Sequence, residues 1–115
     1  MRKVNYLLCV LALMHTVYVA GQTRSELRET FFSAEGDILF EDYAEALPKY
    51  LKLLQTYPEN YNYYYRSGQC YINTPGEKEK SIPYLETAVK HINPKYHEGK
   101  VKEDGAPTEA LYYLA

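Results

Sequence analysis

The chain has 115 residues, 46% of them hydrophobic and 24% charged, with a formal net charge of −2, values close to those of ordinary globular domains. That balance excludes a disordered acidic tail and a basic nucleic-acid-binding protein. The length allows one small domain with a thin core, which argues against a self-contained enzyme with a deep pocket.

Arg2 and Lys3 precede an apolar run from Tyr6 to Met14, and the small residues Val19, Ala20 and Gly21 follow, the three-part layout of a secretory leader. His15 and Thr16 interrupt the run well short of the roughly 20 apolar residues a membrane span requires. Residues 1–21 are therefore expected to be a cleaved signal peptide, with the mature chain starting at Gln22. Its loss leaves 11 basic against 15 acidic residues, a net charge of −4, which weakens a phosphate-binding role further. Cys9 leaves with the leader and Cys70 remains alone, so no internal disulfide can form even in an oxidising compartment.

After a lead-in at 22–29, the sequence repeats itself. Tyr43–Leu54 aligns with Lys78–Val89 at an offset of 35, pairing Ala46 with Ser81, Leu47 with Ile82, Pro48 with Pro83 and Leu54 with Val89. Gly36 and Gly68 recur at an interval of 32, and Pro58 and Pro94 at 36. Each unit, 30–60 and 61–94, reads as two helices. In the first, Phe32, Gly36, Leu39 and Phe40 share a helical face. Asp42 and Glu45 then suggest a capping box for a helix whose apolar side is Leu47, Tyr50, Leu51 and Leu54 and which stops before Pro58. In the second unit Tyr61, Tyr64, Tyr65, Gly68 and Tyr71 form the stripe, and Asn73-Thr74-Pro75-Gly76 is a turn. Thr74, Pro75 and Glu77 are expected to open the next helix, with Ile82, Leu85, Ala88, Val89 and Ile92 buried. Pro48 and Pro83 fall inside their helices at one repeat position and predict a shared kink. Residues 95–107 read as a loop, and 108–115 start a third unit that stops in mid-repeat, as in the N-terminal part of a longer protein.

Gly36, Tyr43, Ala46, Tyr50, Leu53 and Pro58, followed by Tyr64, Gly68, Tyr71, Ser81, Leu85, Ala88 and Pro94, give a pattern that resembles the tetratricopeptide repeat (TPR) family over most of residues 30–115. The resemblance implies an all-α, helix-turn-helix solenoid of about two and a third repeats. In it, glycine on the first helix of a unit lets the second approach closely, and the aromatics fill the remaining space. It also implies a concave face lined by the first helices, on which Ser33, Asp37, Asn62, Tyr65, Gln69 and Tyr112 would contact a partner, with Tyr65 and Tyr112 in equivalent places. Tyrosine, with a large apolar face and a polar tip, suits the recognition of extended peptides.

Catalytic chemistry is not indicated. His91 and His97 stand at or beyond a helix end, and with Glu98 they match no metal-ligand spacing; they are expected to be solvated loop residues. Cys70 reads as a small buried residue. The glycines stand singly, so there is no phosphate-binding loop. These features predict no enzyme, metal, cofactor or small-molecule substrate. The leader, the shortened first unit and the opening Ala106-Pro107-Thr108-Glu109-Ala110-Leu111-Tyr112-Tyr113-Leu114-Ala115 together resemble the N-terminal region of Gram-negative envelope proteins. In that group TPR units precede a β-propeller and a peptidoglycan-binding OmpA-like domain, and some members are associated with type IX secretion. This second resemblance implies an exported scaffold, in the periplasm or at the periplasmic face of the outer membrane, that binds a protein or peptide partner. Membrane association would be indirect, through domains beyond residue 115. The alternatives are a spacer with an empty groove and the recruiting arm of an envelope hydrolase.

Overall fold

A computed structural model describes residues 24–115; the leader read at 1–21 lies outside the described residues. Helix α1 covers 24–39 and so already runs through the segment read as lead-in. It is followed by α2 (Tyr43–Thr56), α3 (Tyr61–Ile72), α4 (Ser81–Ala88) and α5 (Glu109–Leu114). Short 3-10 turns, Lys78–Lys80 and Val89–His91, flank α4. Among the described residues there is no strand, and consecutive helices pack as helix-turn-helix pairs in an all-α, solenoid-like fold.

The face α1 buries is Leu27, Phe31, Ala34 and Ile38, at the spacing of one helical stripe. This corrects the expected stripe: Phe32, Leu39 and Phe40 are exposed. One residue along a helix is a rotation of about 100°, so of two adjacent phenylalanines only Phe31 reaches the core, where its ring lies 6.2 Å from that of Tyr63. The α1–α2 turn is tight, with Glu41 in the left-handed region at φ 58. Asp42 occupies the N-cap position of α2 without a side-chain cap bond, so the expected capping box does not form; its carbonyl accepts the Ala46 N–H instead, at 3.0 Å. Ala46, Tyr50 and Leu53 form the buried side of α2, with Leu47 and Leu54 at its edge.

Asn60 caps α3, its side-chain oxygen accepting the Tyr63 N–H at 3.3 Å. Where α3 crosses α4, a Cβ added at Gly68 would lie 2.6 Å from Leu85 Cγ. Only hydrogen fits there. At Gly36, by contrast, a Cβ would meet nothing within 4 Å, so close approach explains the glycine of the second unit and not that of the first. Gly76, at φ 79, turns the chain after α3. Thr74 does not cap α4: its hydroxyl donates to the Cys70 carbonyl at 2.7 Å and closes α3, and the next element opens later, at Lys78. Ser81, Leu85 and Ala88 are buried, whereas Ile82 is exposed and Ile92 has left the helix to bridge Ala106. The prolines do not take equivalent places in their helices. Pro48 lies inside α2, but Pro83 is the third residue of α4, in the first turn, where a missing N–H breaks no helical bond.

Helix α3 supplies both core clusters. Tyr63 and Cys70 join Phe31, Ala34, Ala46, Tyr50 and Leu53, while Tyr65 joins Leu85, Ala88, Ala106 and Ala110.

Candidate functional site

Four residues of α3, Asn62, Tyr65, Arg66 and Gln69, recur at the spacing that puts side chains on one helical face. At their centre Arg66 is 1% exposed. Its Nε and Nη2 donate to the two carboxylate oxygens of Glu35 on α1, at 3.0 and 2.7 Å. Nη1 donates to Gln69 Oε1 at 2.9 Å, and Nη2 also reaches Glu98 Oε1 at 3.1 Å. The Tyr50 hydroxyl completes the group, donating to Glu35 Oε1 at 2.7 Å. Burial works against the Arg66 charge, but the Glu35 carboxylate more than offsets it and holds the guanidinium above its ordinary pKa. Burial, reinforced by Glu35, likewise raises the Tyr50 phenol, which stays a donor. The two-pronged Arg66–Glu35 pair ties α1 to α3 and fixes the face between them.

The segment after α4 folds back across that face. The Tyr96 hydroxyl donates to Asn62 Oδ1 at 2.7 Å, and its ring meets Tyr65 edge-on, with centroids 6.2 Å apart. Around Glu103 the segment is self-supporting. One carboxylate oxygen accepts from Asn93 Nδ2 (2.9 Å) and the Gly105 N–H (3.1 Å), and the other from the His97 N–H (3.0 Å). Burial alone would raise the Glu103 pKa, but these three donors outweigh it and hold the carboxyl below its ordinary value. The neck is closed by the Asn93 N–H on the Ala106 carbonyl (2.8 Å) and the Ala106 N–H on the His91 carbonyl (2.9 Å). The Tyr61 N–H on the Asp104 carbonyl, at 2.8 Å, joins the segment to the start of α3.

The structure gathers three of the six residues expected on the concave face and leaves three apart. Asn62, Tyr65 and Gln69 surround Arg66, yet Asn62 and Tyr65 are 1% and 6% exposed beneath the chain's own loop instead of lining an open groove. Ser33 and Asp37 are turned toward α2: Ser33 borders a shallow depression with Lys49 and Lys52, and Asp37 pairs with Lys49. Tyr112 is 77% exposed on α5, and it is Tyr113 that packs near Tyr65, at 6.2 Å, so Tyr65 and Tyr112 do not have equivalent surroundings. Toward the loop, α1 offers Arg28 and Phe32, stacked cation over ring at 5.6 Å. With Asn93, His97 and residues 99–104 these border a cleft of about 660 Å³ between α1 and the loop. Sequence reasoning passed over Glu35, Arg66, Tyr96 and Glu103, and considered Glu98 only as a solvated loop residue. A signal existed for one of them: Arg66 is the sole charged residue of Tyr61–Ile72, and a lone charge amid aromatics needs a buried partner.

The sulfur and imidazole groups near the site are placed as follows. Burial pushes the Cys70 thiol up to about 12, with Arg66 only partly opposing, so the thiolate needed for nucleophilic attack is scarce at neutral pH. His91 stacks on Tyr61 at 5.1 Å, and His97 is exposed. Among the described residues no group of three or more His, Cys, Asp or Glu side chains is placed to hold a metal ion. A scan against protein-family models and searches of curated proteins and of solved structures find no match to this chain.

Proposed function

We propose that the chain is an exported, TPR-like interaction module that binds a protein or peptide partner on the side formed by α1 and α3, serving without catalysis as a scaffold in the bacterial envelope. The observation that carries this reading is the cleft of about 660 Å³ between α1 and the loop. Phe32, 48% exposed, and Val101 offer apolar contact there, while Arg28, Lys100 and Lys102 bring positive charge to its border and Glu103 and Asp104 negative charge. Its volume lies in the range of ordinary binding clefts. The repeat assignment draws support from the Gly68–Leu85 approach and from the buried small residues Ala46, Ser81 and Ala88 at the matching positions. Export rests on the leader sequence alone.

The spacer reading has one observation in its favour, since the α3 part of the face is filled by the chain itself. A photo-crosslinking amino acid placed at Phe32, with the exposed Ile82 as control, separates the two. A discrete adduct, identified by mass spectrometry and formed at Phe32 but not at Ile82, is expected. Equal or absent labelling at both positions would favour the spacer.

A further inference from the structure

The cleft between α1 and the loop has two walls, and each carries one apolar side chain beside cations. On α1, Arg28 lies over the Phe32 ring at 5.6 Å. That ring in turn meets the buried Phe31 edge-on, with centroids 5.3 Å apart. On the loop, Lys100, Val101 and Lys102 are consecutive. Val101 packs against the core cluster that holds Phe31, while both lysines are exposed. The Glu103 N–H on the Lys100 carbonyl, at 3.0 Å, closes this turn.

Among the described residues the ion pairs use Lys49, Arg66 and Lys80, so Arg28, Lys100 and Lys102 have no carboxylate partner. Two carboxylates share the border with them. Glu103 is 7% exposed and its oxygens accept three N–H groups of its own segment, which turns its charge inward. Asp104 is exposed and is the carboxylate that opposes the lysines. With His97 neutral, the exposed charge at the border is three cations against one anion, on a chain whose residues 22–115 carry a net −4. Such a local excess attracts anionic segments and orients them.

We infer that the cleft takes an acidic segment of a partner protein in which an apolar side chain stands between carboxylates. The apolar side chain would lie against Phe32 and Val101, and the carboxylates would face Arg28 on one wall and Lys100 and Lys102 on the other. The inference rests on the interaction-module reading and adds to it the partner's chemistry. Charge alone would suit any polyanion. The two apolar side chains select a protein segment, because a ligand of charge alone gains nothing from Phe32 and Val101.

The test uses the purified chain and a fluorescein-labelled peptide, Gly-Asp-Glu-Phe-Glu-Asp-Gly, followed by fluorescence polarisation in about 0.05 M salt. This peptide should bind, and one with lysine at every acidic position should not. Alanine in place of its phenylalanine should weaken binding about tenfold. Lys100→Glu/Lys102→Glu should weaken it about tenfold or more, and Asp104→Asn should tighten it about twofold. Both lysines are exposed, so far-UV circular dichroism should not change; Lys100→Gln/Lys102→Gln, with a smaller loss of binding, serves if it does. Equal binding of the acidic and basic peptides, no binding of the acidic peptide by the folded wild type, or indifference to the lysine substitutions would overturn the inference. So would equal binding of the phenylalanine and alanine peptides with displacement of both by inorganic polyphosphate, which would give the cleft to a ligand of charge alone. The Phe32 crosslink reports independently: if its adduct forms while the acidic peptide fails, the module reading stands and the acidic-segment assignment falls.

Discussion

Alanine at Gly68 would place a methyl group 2.6 Å from Leu85 Cγ and 2.7 Å from Cδ2, against ordinary carbon contacts of about 3.5–4.0 Å. Roughly 1 Å must be relieved, and Leu85 is 1% exposed in the cluster with Tyr65, Ala88, Ala106 and Ala110, so it has little room to move. Overpacking of this kind costs about 1–3 kcal/mol. Removing a glycine from a helix interior returns about 1 kcal/mol. With the overlap this large on a branched side chain, the net expectation is a loss of about 1–2 kcal/mol. At Gly36, where an added Cβ meets nothing within 4 Å, only the gain remains, and alanine should stabilise by up to about 1 kcal/mol. Urea unfolding followed by circular dichroism measures both. The decisive control is Leu85→Ala, costly alone at about 2–5 kcal/mol: in that background the colliding carbons are gone, and Gly68→Ala should change sign and stabilise. A Gly68→Ala protein as stable as the wild type, or equally destabilised with and without Leu85, would refute the packing argument.

Three further outcomes follow from the buried polar groups. Glu35→Ala should cost about 3–5 kcal/mol because it strands the Arg66 charge, and Glu35→Ala/Arg66→Met should recover much of that loss; a single substitution costing under about 1 kcal/mol would contradict the burial. The Glu103 carboxyl has a lowered pKa in the folded state, so its stabilising contribution is complete above the unfolded value of about 4.3 and fades as pH falls through the lower folded value. Glu103→Gln should flatten this acid limb of the stability–pH curve, and an unchanged limb would count against the role of Glu103. Cys70 should resist a thiol reagent at pH 8 while the chain is folded and react fully in urea; fast labelling of the folded chain would contradict its burial.

What could be read in the sequence was what local pattern and small-residue placement encode. The helix-turn-helix class, the 73–76 turn, the loop after Asn93 and the burial of Cys70 all follow from neighbours within a few positions. Gly68 and Leu85, drawn from one repeat pattern, meet in space. The face of α1 was illegible because Phe31 and Phe32 are equally apolar, and only the position of Tyr63 selects between them. The cover over α3 was illegible for a different reason. Glu35 to Arg66 spans 31 residues and Tyr96 to Asn62 spans 34, and no periodicity links partners so far apart. Charged loops usually read as solvated, and nothing local shows that Glu103 turns inward to organise one.

Tyrosine nitration mapped by mass spectrometry tests most directly whether the chain covers its own α3 face. Tyr112, 77% exposed, should be modified rapidly, whereas Tyr65, 6% exposed beneath Tyr96, should be protected in the wild type and become reactive in Tyr96→Ala/Glu98→Gln. Nitration of wild-type Tyr65 at the rate of Tyr112 would contradict the account, because the face would then already be open.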